Sequence, residues 1–182
     1  MNAPTQANHL QAPHDLLSPV VAQRPVPQAV LDALKARFGE RFSTAQVVRD
    51  QHGRDESAFS VPPPIAVVFA ENTAEVSAVV ALANAHHVPV IPFGVGSSLE
   101  GHLLAVQGGI SLDVSRMNQV LHINPEDLTV TVQPGVTRKQ LNEALRHEGL
   151  FFPIDPGADA SLGGMVSTRA SGTNAVRYGT MR

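Results

Sequence analysis

Three consecutive prolines, Pro62 to Pro64, stand directly before an unbroken apolar run, Ile65 to Ala70. Proline has a fixed φ and no amide to donate, so this entry excludes a helix and predicts a short buried strand. Asn72 or Thr73 then caps a helix on which Val76, Val79, Val80 and Ala83 recur at helical spacing, ending near His86 and His87. Val88 to Pro92 is a second apolar strand. Strand, helix, strand predicts one βαβ unit with a right-handed crossover.

Upstream, Val30, Leu31, Leu34 and Phe38 fall on one side of a helix that Gly39 ends, and Arg49 to Ser57 is a polar stretch. Downstream the period changes to two. Ile110, Leu112 and Val114 alternate with Ser111 and Asp113, and Leu128, Val130 and Val132 alternate with Thr129, Thr131 and Gln133. With Gln119 to Ile123 between them and a turn at Asn124 to Asp127, these predict an antiparallel meander. Thr137 to Gln140 fits a capping box for a helix with Leu141, Ala144 and Leu145 inward and Gly149 at its end. The fold class expected is α+β: a small βαβ lobe followed by the beginning of an antiparallel-sheet lobe. Residues 1–24 show no sustained period and read as a tail, leaving 25–182 as one domain.

Thirteen Lys and Arg against sixteen Asp and Glu give a net charge of -3, which offers no basic field for a nucleic acid. The chain has no cysteine, so disulfides, thiolate metal sites and thiol nucleophiles are excluded. No export or organelle address is visible at the start, and the longest apolar runs have six residues against the roughly 20 that cross a bilayer. The location expected is the cytoplasm, with attachment to the surface of the inner membrane as the alternative.

"IPFGVGSSLEGH", Ile91 to His102, leaves the second strand of the βαβ unit. Gly94 and Gly96 start a dinucleotide fingerprint, but Leu99 occupies the third glycine position and no helix follows. Gly96 to Gly101 has P-loop spacing, yet His102 replaces the lysine and Leu103 the magnesium-binding hydroxyl. Ser97 and Ser98 are not centred as a nucleophile elbow requires. Two readings stay open for these residues: a tight turn between lobes, or a concave nest of backbone amides that holds an anion without a lysine.

A second small-residue segment, Asp155 to Gly179, follows about sixty positions later and can share one ligand with the first. In it Ser161 can cap a short helix through Gly163, Gly164, Met165 and Val166. "PFGVGSSLEGH" together with "DPGADASLGGM" and "ASGTNAVRYGTMR" resembles the FAD-binding domain of the vanillyl-alcohol oxidase and p-cresol methylhydroxylase type, most nearly that of flavin-dependent D-lactate dehydrogenases. The likeness runs from about Arg49 to Arg182. It implies FAD held between the two lobes, with its pyrophosphate on the amides of Gly94, Val95, Gly96, Ser97 and Ser98 and with Phe93 also at the cofactor. It also implies that Pro134, Gly135, Gly163, Gly164, Thr168, Ser171, Gly172 and Thr173 lie along the rest of the cofactor. Some relatives tether the flavin through a histidine at the position of Ser97, which implies non-covalent FAD here. Arg169 stands where that pattern has a smaller residue.

The resemblance further implies oxidation of a D-2-hydroxyacid, D-lactate, to pyruvate by hydride transfer to flavin, with a cytochrome or quinone as electron acceptor. The substrate arginine, the proton-accepting histidine and any metal ligands are expected beyond Arg182, so no catalytic residue and no metal ligand is assigned within the chain, which reads as an N-terminal fragment inactive alone. The alternatives are a non-catalytic nucleotide- or anion-binding module and an inactive truncated product. Glu100 and His102 could form an acid–base pair but stand in an exposed turn, His86, His87 and His122 read as capping or surface groups, and Asp155 reads as the anchor of a turn.

Overall fold

The computed structural model describes residues 22–182; most of the tail assigned to 1–24 lies outside them. Helix α1, Gln28–Phe38, buries Val30, Leu34 and Phe38, and the chain leaves it through Gly39 at φ 56°. The short strand β1, Phe42–Ser43, and helix α2, Gln46–His52, follow. Neither is expected from the sequence, where Arg49 to Ser57 reads as polar stretch. A seven-residue helix with an uncapped Ala45 start and one buried side chain, His52, leaves no periodic signal to detect.

Strand β2, Ala66–Phe69, helix α3, Thr73–Ala85, and strand β3, Val90–Phe93, form the expected unit. Asn72 Oδ1 accepts the Glu75 amide at 3.0 Å and starts α3. Val79 and Ala83 are buried, whereas Val80 is 47% exposed, one step off the stripe.

The sheet order is β1-β2-β4-β3, where β4 is Ile110–Asp113. This corrects the meander: the alternating Ile110 to Val114 segment is not antiparallel but inserts between β2 and β3, parallel to both. Its four residues are all buried, Ser111 and Asp113 included. A parallel strand is covered on both faces, so the polar residues that look solvent-facing in the sequence are enclosed. Ile110 and Leu112 join Val68, Leu34 and Val79 in the core under α1 and α3. Ser111 and Asp113 point to the other face, in register with Val67 and Phe69 on one side and Ile91 and Phe93 on the other.

The second lobe pairs β5, Val120–Asn124, with β6, Thr129–Val132, in two antiparallel strands with a bulge between Val120 and His122. Leu128, expected inside β6, sits in the preceding turn at φ 54° and is 74% exposed. Helix α4, Arg138–Leu145, starts with Thr137 Oγ1 accepting the Gln140 amide at 3.3 Å. The reciprocal half of the capping box is absent, because Gln140 Nε2 donates instead to the Asn118 carbonyl at 2.6 Å. Leu141 and Leu145 pack with Val136 and Leu162 into a second core, separate from the first. Helix α5, Leu162–Ser167, and the one-turn helix α6, Ala175–Tyr178, complete the fold.

One ion pair ties β1's approach to α3. Arg41 donates to both carboxylate oxygens of Glu75, at 2.6 and 2.8 Å, while the Glu71 amide donates to Oε2 at 2.8 Å. The Arg41 bonds, more than any other cause, lower the Glu75 pKa to about 2 from an ordinary 4.5. A folded-state value below the unfolded one means stability that is complete above about pH 4.5 and lost as pH falls toward 2. Partial solvent screening leaves roughly 1 to 2 kcal/mol of it. Glu75→Gln is expected to remove that contribution at neutral pH and to flatten the acid limb of the stability curve, measured by thermal melts between pH 3 and 7.

Candidate functional site: a cradle of backbone amides

β3 delivers the chain at Phe93 into Gly94 to Ser98 on the C-terminal edge of the parallel strands, where ligands of open α/β sheets bind. The backbone N–H groups of these five residues donate to no acceptor among the described residues. Gly94, Gly96, Ser97 and Ser98 are nevertheless half-buried. Amides without a protein acceptor are free to take an external one, and several in one turn can form a nest for an anion. Gly96 lies at φ 74°, the left-handed conformation that reverses the loop. The Ser97 hydroxyl has no partner among the described residues, whereas Ser98 is engaged: its Oγ meets His102 Nδ1 at 2.7 Å and its carbonyl accepts the Glu56 amide at 2.9 Å.

The second small-residue segment stands directly against the first. A Cβ on Gly94 would lie 2.5 Å from Ser161 Oγ, the buried hydroxyl that accepts the Gly164 amide at the start of α5. Gly163 closes on Pro134, where a Cβ would lie 2.7 Å from the ring, and its amide donates to the Pro134 carbonyl at 2.9 Å. Gly135 in turn abuts the carbonyls of Val114, Ser115 and Met117, in the turn that follows β4. Gly94 and Gly164 thus meet at Ser161, next to the second core's Leu162, while Gly163 rests on Pro134 and Gly135 on the turn after β4, near the first core's Met117, at the seam between the two cores.

The remaining expected residues are held otherwise. The Thr168 hydroxyl turns back on its own helix and donates to the Gly164 carbonyl at 3.0 Å. Gly172 packs on Asp155, whose carboxylate accepts the Thr173 hydroxyl at 2.6 Å and the Asn174 amide at 2.9 Å. Those two bonds, the hydroxyl's first, hold the Asp155 pKa below its usual range. Asp155 anchors a turn, as expected, and holds Gly172 to Asn174, while Ser171 is exposed. Arg169, at φ 51°, is exposed. His102 and Glu100 are 3.6 Å apart and exposed, and His102 serves the loop by bonding Ser98.

Sequence reasoning missed His52 and Asp113. His52 is buried, with Nδ1 at 2.8 Å from the Val48 carbonyl and Nε2 at 2.9 Å from Asp113 Oδ2. Asp113 Oδ1 also accepts the Ser115 amide at 2.6 Å. The available signal was Asp113 itself, an acid inside a strand flanked by apolar residues.

A cavity of about 450 Å³ lies elsewhere, between α1 and α3, lined by Leu34, Phe38, Val79 and Leu82. Arg37 is the one charged residue among its mostly apolar lining, which lies away from both small-residue segments.

A family model described as an FAD binding domain matches residues 64–182. The chain is 55% identical, over 79% of its length, to "Probable D-lactate dehydrogenase, mitochondrial" of Danio rerio. It is 43% identical, over 86% of its length, to "D-lactate dehydrogenase [cytochrome], mitochondrial" of Arabidopsis thaliana. It spans 29% and 28% of those relatives. Among solved structures, an alkyldihydroxyacetonephosphate synthase superposes with a TM-score of 0.77 at 26% identity, covering 88% of this chain and 35% of that one. A p-cresol methylhydroxylase superposes with a TM-score of 0.61 at 22% identity, covering 74% and 28%, which bears on the fold alone. The expected α+β architecture is therefore shared with these solved structures, and with the family match extending over most of the sequence, the chain belongs to the FAD-binding domain family.

Proposed function

We propose that the chain, as one domain from about residue 25 to 182, holds FAD non-covalently as the cofactor-binding part of a D-2-hydroxyacid dehydrogenase acting on D-lactate. The observation that carries the reading is the row of unpaired amides from Gly94 to Ser98, set against Ser161 at the seam between the two cores. A diphosphate supplies the acceptor oxygens such a donor set requires, and no covalent tether is available from Ser97. Phe93, Pro134, Gly135, Gly163, Gly164, Thr168, Ser171, Gly172 and Thr173 would line the remainder of the cofactor. When bound, FAD supplies the acceptor for the hydride that leaves the hydroxyl-bearing carbon as D-lactate becomes pyruvate. This chain's residues bind and orient: the loop amides and the Ser97 hydroxyl hold the diphosphate, and the close packing at Gly94, Gly163 and Gly135 fixes the cradle's width. The names of the two relatives support the substrate, and one of them supports a cytochrome as acceptor, with a quinone as the other candidate. Such acceptors fit a protein in the cytoplasm or at the surface of the inner membrane; no helix among the described residues is long and apolar enough to cross one.

Reconstitution tests the reading. The purified chain mixed with FAD is expected to retain yellow absorbance through gel filtration at one equivalent, and in the full-length protein D-lactate is expected to bleach it without added NAD. A chain that binds ADP yet stays colourless would be a nucleotide-binding module instead.

A further inference from the structure

Phe69, Asp113 and Phe93 occupy the last rung of the three parallel strands, side by side in register on one face. His52 closes that rung from α2 and touches all three: Phe93 at 4.2 Å between ring centroids, Phe69 edge-on at 5.5 Å, and Asp113 through its hydrogen bond. The tip of the Phe93 ring also meets the loop, since a Cβ on Gly96 would lie 3.0 Å from its Cζ. The chain just beyond α2 also grips the loop's far end through the Glu56 amide and the Ser98 carbonyl. The geometry points to His52 and Asp113 as positioning residues that fix the Gly94 to Ser98 loop through Phe93. A buried hydrogen-bonded pair adds little net stability over an apolar substitute, because desolvation offsets the attraction. What this one adds is orientation. Asp113, held by the Ser115 amide, aims the His52 ring; that ring packs on Phe93; and the Phe93 ring sets the level at which Gly96 turns. The amides then stand aligned before any ligand arrives, which lowers the ordering cost of binding. The benefit to FAD affinity rests on the cofactor reading above, whereas the ordering of the loop does not.

The test is backbone ¹⁵N relaxation on the unliganded chain, with FAD titration beside it. His52→Gln keeps a donor for Asp113 but removes the ring beside Phe93, and Phe93→Leu removes the ring beside His52 while leaving the His52–Asp113 hydrogen bond in place. Val79→Ala, in the core on the opposite face, supplies a comparable loss of packing far from the loop. Order parameters at Gly94 to Ser98 are expected to fall from about 0.85 toward 0.6 in His52→Gln and Phe93→Leu, and to stay at the wild-type level in Val79→Ala. FAD affinity is expected to fall about tenfold with each loosening variant. Unchanged order parameters in Phe93→Leu, or equal loosening in Val79→Ala, would overturn the proposal, and Phe93→Leu decides it even should His52→Gln fail to fold. A wild-type chain that takes no FAD while its loop responds as stated would sink the cofactor reading and leave this one standing.

Discussion

Gly94→Ala is expected to weaken FAD binding by about tenfold to a hundredfold, through a methyl group that never touches the cofactor. The new Cβ would lie 2.5 Å from Ser161 Oγ. Ser161 is 1% exposed and its hydroxyl is committed to the Gly164 amide, so it has no room to rotate away without uncapping α5. Losing that cap costs about 1 kcal/mol, and forcing the two segments apart costs roughly 1 to 3 kcal/mol, either of which lifts the loop from its seat. Gly157→Ala is the matched control, because nothing lies within 4 Å of its added Cβ and its φ is ordinary. Titration of both variants by flavin fluorescence separates the cases; equal affinity would show that the seam between Gly94 and Ser161 does not set the cradle.

Gly135→Ala is expected to act on the fold first and on the ligand second. Its Cβ would meet the carbonyl oxygens of Val114, Met117 and Ser115 at 2.5, 2.8 and 2.9 Å, and the Gly135 amide already donates to the Met117 carbonyl at 2.8 Å. Three backbone groups cannot yield as a flexible side chain would, so the cost is about 3 kcal/mol or more and the melting temperature falls by roughly 10 °C. A scanning calorimetry trace within about 2 °C of the wild type would refute this, since that shift corresponds to under 1 kcal/mol.

The two glycines mark what the sequence can and cannot say. The strand, helix and strand after Pro64 are legible because proline, an asparagine cap and apolar runs act locally, and all three agree. The neighbourhood of the cradle is legible too, since small residues in two segments suggest a shared cleft. What composition cannot separate is a glycine that makes room for a ligand from one that makes room for the chain itself. Gly135, Gly163 and Gly172 each have backbone where a Cβ would go, and that is a tertiary fact. β4 escaped for a related reason: a period of two reads as a half-exposed strand unless the partner of its polar residues is known. The partner of Asp113 is His52, sixty-one positions away on a helix too short to announce itself. The Ser111 hydroxyl, buried with no hydrogen-bond partner among the described residues, has no counterpart that explains it.

The placement of β4 between β2 and β3 also dictates an order of events during synthesis. When the ribosome has released the chain through Phe93, β2 and β3 exist but neither has its central neighbour, and both present bare edges rich in valine and isoleucine. The glycine loop and the turns after it must emerge before residues 110–113 can slot into the gap and zip both edges at once. For that interval the nascent polypeptide is open to mispairing with its neighbours.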